Sequence, residues 1–235
     1  MAKKPSTHIE YKEEFYGSEH WALLARLREK ATCLMKVLEK ANLESIVHGS
    51  IARGDVSKRS DIDVFLQNPV SSFSVEIALE KAGASIERRL IVQATPTYAM
   101  KAHIEMADRV SVTFPLMKLR KVEREFYGFG GNVTVQGIRE GARVPGVDKR
   151  LMLIEPTHEG HRESTVAGRE EQVARLLGLS IETVMDRVRA LTRRDHVGRT
   201  GVFVEEELPR DETFEMGLDR LAKSNPAVRR RARSV

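Results

Sequence analysis

The 235-residue chain has one cysteine, Cys33, so an internal disulfide is excluded and no thiolate set exists for a metal site. Its place in an apolar helical stretch predicts a small buried side chain. Long hydrophobic runs are missing as well. No stretch approaches the roughly 18 apolar residues that cross a bilayer, and the opening MAKKPSTHIEYKEEFYG has no apolar core of a secretion signal. These absences lead to the expectation of a cytoplasmic protein with no membrane partner. The GxGxxG spacing of a dinucleotide site is absent around Gly128, Gly130 and Gly131, which read as a turn or a close backbone approach. His158 and His161 have a spacing that tempts a zinc reading, but no further His or Cys stands close by. Asn and Gln are scarce while charged residues make up 31%, a balance found in proteins from hot habitats.

A hydrophobic fraction of 41% supports an ordinary globular core. The net charge of +5 favours an anionic partner, and the charge is patterned rather than evenly spread. Arg187, Arg189, Arg193, Arg194 and Arg199 crowd one late segment, and Lys223, Arg229, Arg230, Arg231 and Arg233 crowd the tail. An acidic block from Glu205 to Asp219 lies between them.

Residues 48–66 read HGSIARGDVSKRSDIDVFL, with two acids one residue apart at the head of an apolar run. On a strand, Asp61 and Asp63 point the same way while Ile62 and Val64 point the other. Two carboxylates in one small volume repel unless a cation, a proton or an arginine neutralises them. A plain turn running into a strand, with Asp63 facing water, is the simpler alternative. Just upstream, the apolar ESIV runs into Gly49-Ser50, where a glycine backbone and a serine hydroxyl suit phosphate oxygens.

Gly49-Ser50, Ala52-Arg53-Gly54-Asp55 and Ser60-Asp61-Ile62-Asp63, in this order and at this spacing, resemble the signature of the DNA polymerase beta-like nucleotidyltransferase superfamily. The likeness covers about residues 20–115 and is nearest to small archaeal members. It implies a nucleoside triphosphate substrate, with Gly49, Ser50, Arg53 and Ser60 toward the nucleotide. It also implies Mg²⁺ on Asp61 and Asp63, joined by a third carboxylate from a later strand. Glu105 is the candidate for that place and Asp108, at the strand end, the alternative.

The apolar spacing predicts a long helix over 18–42, a helix in SFSVEIALEKAGA capped by Ser71 or Ser72, and strands in IERRLIVQA, AMKAHIEMA and RVSVTFPLM. The expected fold is therefore α+β, an α/β-like mixed sheet with helices, followed by a mostly helical C-terminal winged-helix domain. The corresponding division is a nucleotidyltransferase domain at 1–117, a basic glycine-rich connection at 118–160, a winged helix-turn-helix at 161–208, and a C-terminal helix with a basic tail at 209–235. In the connection, Phe126, Tyr127 and Phe129 beside basic residues could stack a base or form a packing hinge.

REEQVARLLGLSIETVMDRVRALTRRDHVGRTGVFVEEE resembles a winged helix-turn-helix, with a hairpin through Gly198 and Gly201. That likeness would present Thr183, Arg187, Arg193, Arg194 and Arg199 to RNA or DNA; winged helices also serve protein contacts. Two functions follow. One is an Mg²⁺-dependent enzyme that transfers a nucleoside monophosphate from a triphosphate to a hydroxyl, with nucleic acid as one acceptor. The other is a winged-helix regulator whose nucleotidyltransferase domain senses nucleotide without chemistry.

Overall fold

A computed structural model describes residues 11–197 and 201–233. Its elements begin with β1 (Tyr11–Phe15), α1 (Ser18–Lys40), β2 (Ser45–His48), α2 (Ser50–Arg53), β3 (Ile62–Leu66) and α3 (Ser72–Lys81). There follow β4 (Ile86–Gln93), β5 (Lys101–Met106), β6 (Val110–Pro115), α4 (Lys121–Phe129), β7 (Asn132–Thr134) and α5 (Val135–Arg139). The rest comprises β8 (Gly146–Val147), β9 (Met152–Pro156), β10 (Gly160–Thr165), α6 (Glu170–Leu177), α7 (Ile181–Val197), β11 (Val204–Glu207), α8 (Phe214–Ser224) and α9 (Pro226–Arg233). The fold is α+β with mixed sheets and a helical C-terminal part. No helix among the described residues is long and apolar enough to cross a membrane.

The helix and strands expected upstream of residue 115 form where the periodicity puts them. Along α1, Leu24, Ala31, Leu34, Met35 and Leu38 form the buried stripe, and Asn42 in the left-handed region ends the helix region (φ 58°). Cys33 departs from expectation: it is exposed, because it falls on the outer side of that stripe.

The contacts divide the chain into two units, each discontinuous in sequence and neither coinciding with the linear division above. One comprises Ala31–Ile46, Asp61–Glu123 and Gly201–Val235. Its strands run in the order β11-β4-β5-β6-β3, with β2 beyond β3. The β3–β6 pair is parallel, whereas β6–β5, β5–β4 and β4–β11 are antiparallel. One sheet face carries Val64, Val112, Ile104, Ala102 and Ile91, all buried. Helices α3 and α8 serve this face: Phe214 meets Phe114 edge-on at 5.7 Å, and Arg89 lies over the Phe214 ring while pairing with Glu76 at 2.6 Å. Glu215 accepts both the amide (2.9 Å) and the hydroxyl (2.6 Å) of Ser72.

This sheet also revises the expected wing. Residues 198–200 lie outside the described residues, and the strand expected to close a hairpin is β11, which pairs antiparallel with β4 from Val204↔Gln93 to Glu207↔Leu90. Strand propensity was read correctly and its partner was not, since pairing is non-local.

The other unit comprises Met1–Lys30, Val47–Ser60 and Arg124–Thr200. Its sheet has the order β1-β10-β9-β8, all antiparallel. Val173, Ala174, Val184 and Leu191 of α6 and α7 share one core with Leu151, Leu153 and Val166 of this sheet region and with Phe129 of α4. The stretch 118–160 is thus folded structure, containing α4, β7, α5, β8 and β9. A buried polar chain crosses the same sheet. Arg150 grips both oxygens of Glu163 and pairs with Asp148, His161 Nε2 lies 3.1 Å from Glu163, and the Tyr16 hydroxyl meets His161 Nδ1.

The His161 hydrogen bond, and then Arg150, hold the Glu163 carboxyl down at about 2 against the opposing effect of burial. A carboxyl lowered on folding adds stability that is complete above its ordinary range near 4.5 and lost as the pH falls toward about 2. We therefore expect Glu163→Gln to cost on the order of 3 kcal/mol at neutral pH. The variant should also lose less further stability between those two pH values than the wild type, as read by urea denaturation across the acid range. Parallel acid curves for the two proteins would show that Glu163 carries no such linkage.

Candidate functional site

Within the first-described unit the acids stand as the strand period requires. Asp61 immediately precedes β3, and Asp63 shares its face with Phe65. The parallel register puts Asp63 beside Ser111 and Phe65 beside Thr113. Antiparallel pairing continues the rows from Ser111 to Glu105 and from Thr113 to His103. This face is polar: Ser111 Oγ donates to Asp63 Oδ1 at 2.7 Å, His103 Nδ1 lies 2.7 Å from Thr113 Oγ1, and Lys101 sits over the Phe65 ring. The helices and Phe214 occupy the opposite face.

Two groups moderate the repulsion between the acids. Arg109 Nε approaches Asp61 Oδ1 to 4.0 Å, and the Ser111 hydroxyl binds Asp63. Arg109 reaches this place from a tight turn, Ala107–Arg109, in which Asp108 and Arg109 both have φ near +60°. Consecutive non-glycine residues in that region carry backbone strain. Asp61 and Arg109 are each about half exposed, so their pairing is screened and weak.

Glu105 is on the same face but not beside the pair. It is one strand beyond Ser111, which the strand spacing makes about 10 Å from the Asp63 backbone. Its carboxylate faces Arg88 at 3.3 Å and His103 at 3.5 Å, and Arg88 also bonds Glu207. Asp108 is exposed in the strained turn. Among the described residues, no group of three or more His, Cys, Asp or Glu side chains is placed to hold a metal ion.

Gly49, Ser50, Arg53 and Ser60 lie in the other unit, where α2 follows β2 through one sharp turn. Gly49 has φ 78° and ψ −142°, and Gly54 closes α2 in the left-handed region. The Gly49 N–H is already donated to the Gly131 carbonyl at 2.9 Å. What faces outward is hydroxyl: Ser50 Oγ donates to Ser60 Oγ at 3.1 Å, and Ser60 Oγ accepts from the Ser57 amide. Ser60 is followed directly in the chain by Asp61.

Arg53 is not available to a nucleotide as expected. It is 5% exposed, grips both oxygens of Asp55 at 3.0 and 2.9 Å, and donates to the Gly130 carbonyl at 2.6 Å. It braces the turn from below. Arg28, missed in the sequence, does the same from α1: it caps the carbonyls of Ile51 and Ala52, and burial lowers its guanidinium to about 10, still cationic at neutral pH. His20 Nε2 lies 2.7 Å from the Gly54 carbonyl. Of the glycines in 128–131, Gly131 is a close backbone approach, where a Cβ would lie 3.0 Å from the Pro145 carbonyl oxygen, whereas one at Gly130 would meet nothing nearer than 3.8 Å. A Cβ at Gly146 would lie 2.5 Å from Gly131 N, and one at Gly131 would lie 3.0 Å from Arg53 Cγ.

The residues expected to face nucleic acid behave differently from one another. Thr183 is 1% exposed and its hydroxyl donates to Glu125, which also accepts from the Ser180 amide. It belongs to the entry of α7, not to a groove. Arg187 lies over the Phe126 ring at 4.6 Å, which assigns that aromatic cluster to packing. Arg193 is exposed, while the side chain of Arg194 and all of Arg199 lie outside the described residues. The signals for the overlooked groups were slight: Ser111 is the polar interruption of RVSVTF, and Arg28 is an arginine within an apolar stripe.

Residues 30–114 match the model of a family described as a nucleotidyltransferase domain. That stretch runs from within α1 to within β6 and contains Gly49, Ser50, Asp61, Asp63 and Glu105. No curated protein matches the chain. The matched domain supports nucleotidyl transfer as the general class of chemistry.

Two glycines, Gly49 and Gly146, fail for different reasons when replaced. Around Gly49 a Cβ finds open space, so Gly49→Ala meets backbone strain alone, about 1–3 kcal/mol. At Gly146 the added carbon strikes backbone, so Gly146→Ala should cost more and lower the unfolding midpoint further. Equal midpoints for the two variants in urea would remove the close approach as the reason for glycine at 146.

Proposed function

We propose that this chain is an Mg²⁺-dependent nucleotidyltransferase that moves a nucleoside monophosphate from a triphosphate to a hydroxyl acceptor. The observation that carries the reading is the pair Asp61 and Asp63 on one sheet face, with Asp63 oriented by Ser111. Mg²⁺ is commonly held by one or two carboxylates together with substrate phosphate oxygens, so this donor set fits it once nucleotide is present. When bound there, the ion would supply charge neutralisation on the phosphates and a lowered pKa for a coordinated hydroxyl.

The residues of the chain take distinct parts. Asp61 and Asp63 hold the cation, and Ser111 fixes the Asp63 carboxylate so that its other oxygen stays free to ligate. Ser50 and Ser60 offer hydroxyls to phosphate oxygens, and Gly49 supplies the turn that exposes them. Arg53 keeps that turn rigid rather than touching the nucleotide. Glu105, held by Arg88, is left outside the ligand set. A nucleotide-sensing regulator without chemistry is the second reading. What favours it is the serine, in place of a carboxylate, on the strand next to Asp63.

Incubation with each labelled triphosphate, Mg²⁺ and total cellular RNA or protein distinguishes the two. The enzyme reading expects label to move to an acceptor. Asp61→Asn and Asp63→Asn should each reduce transfer at least about a hundredfold while leaving thermal stability equal or higher, because each removes like-charge repulsion. Nucleotide binding by calorimetry with no transfer to any acceptor would establish the sensor. A large loss of stability in both variants would make the acids structural.

A further inference from the structure

Helix α9 docks through one buried arginine. Arg231, 7% exposed, donates to the carbonyls of Thr97 (3.1 Å) and Lys118 (2.7 Å) and to Glu123 Oε2 (3.2 Å). Glu123, 1% exposed, also accepts the amides of Ala99 and Arg120. One guanidinium therefore gathers three chain segments, 97–99, 118–123 and α9, into one neighbourhood of a single unit. Docking buries Val228, the one large apolar residue of α9, together with Arg231.

What this leaves outside is cationic. Lys118, Arg120, Lys121, Arg229, Arg230 and Arg233 are all exposed. Within 94–102, 116–123 and 222–233 the one acidic residue is Glu123, buried and already engaged by Arg231 and, at 3.4 Å, by Arg120. A helix dipole rewards a cation or two in the last turn; it does not account for the basic groups of a second stretch of chain, 118–121, brought to the same place. Beside them, the Arg120 guanidinium lies over the half-buried Tyr98 ring at 5.1 Å and keeps 45% of its side chain exposed, so its outer face can stack a planar base.

We propose that this surface, formed by α9 and the 118–121 segment, binds single-stranded RNA. The exposed cations meet successive phosphates, and the Arg120–Tyr98 stack takes an unpaired base, which a duplex does not offer. Unpaired strands in a cell are mainly RNA. A lipid surface suits the site poorly, because the apolar side of α9 is buried and none is left to enter a bilayer interface. The inference does not rest on transfer chemistry, and it assigns the nucleic-acid contact to α9 and 118–121 rather than to α7.

The test titrates the full chain with a short labelled oligoribonucleotide at several salt concentrations and follows anisotropy. Binding should weaken steeply with salt, and the combined Arg229→Gln, Arg230→Gln, Arg233→Gln variant should lower the log–log slope by about two units, as loss of three phosphate contacts on a single strand requires. Its unfolding temperature should not change, since all three side chains are exposed. Tyr98→Ala should weaken RNA binding while sparing inorganic polyphosphate, which has no base to stack. Asp63→Asn should bind RNA like the wild type even where transfer is lost, so a failure of binding and a failure of catalysis remain separable. Wild-type affinity in the triple variant would overturn the proposal. So would tighter binding to duplex DNA or to vesicles of anionic lipid than to RNA.

Discussion

The Gly49–Gly54 turn depends on a buried charge. The Arg53 guanidinium is removed from water and each of its three nitrogens finds an acceptor, in two oxygens of Asp55 and the carbonyl of Gly130. Breaking such a buried pair strands the remaining charge, a far larger penalty than the pair's net contribution. That asymmetry ties Gly130 to Arg53, and through Gly131 O to the amide of Gly49. The glycines at 131 and 146 let the backbones approach closely enough for these bonds to form. A motif that reads in sequence as a self-contained loop is thus held by residues some eighty positions away.

The acid pair shows the same economy of charge. A cation, a proton or an arginine was required wherever two carboxylates share a strand face. The chain supplies an arginine at the rim, Arg109, and a hydroxyl, Ser111, for the inner acid. Neither neutralises the pair fully, since Asp61 and Arg109 remain half exposed and 4.0 Å apart. Part of the negative charge therefore stays on this sheet face, since no strong internal ion pair takes it up.

Local pattern carried much of the fold. The period of α1, the alternation in β4, β5 and β6, and the Ser71 entry to α3 are written in single stretches of chain, and they appear where the pattern puts them. Pairing was less legible because it depends on distant partners. Val204–Glu207 has strand character in any context, but its choice of β4 over a neighbouring hairpin cannot be seen locally. Thr183 and Arg53 are hard to place from sequence for a related reason. A polar residue beside a motif has the same one-letter identity whether it faces a ligand or bonds to Glu125 or Gly130. The span 118–160 read as a connection because its elements are short and rich in glycine, the property that lets them pack tightly around Arg53.

Each compact unit is drawn from three separate stretches of the chain. Neither can complete its core until stretches far apart in sequence have come together, so loop-closure entropy must be met before many contacts form. Folding should accordingly be slow and strongly coupled, with partly assembled sheets exposed on the way. A single cut would not release either unit by itself, because each is interrupted along the chain by stretches of the other. The molecule is divisible in space but not along its chain.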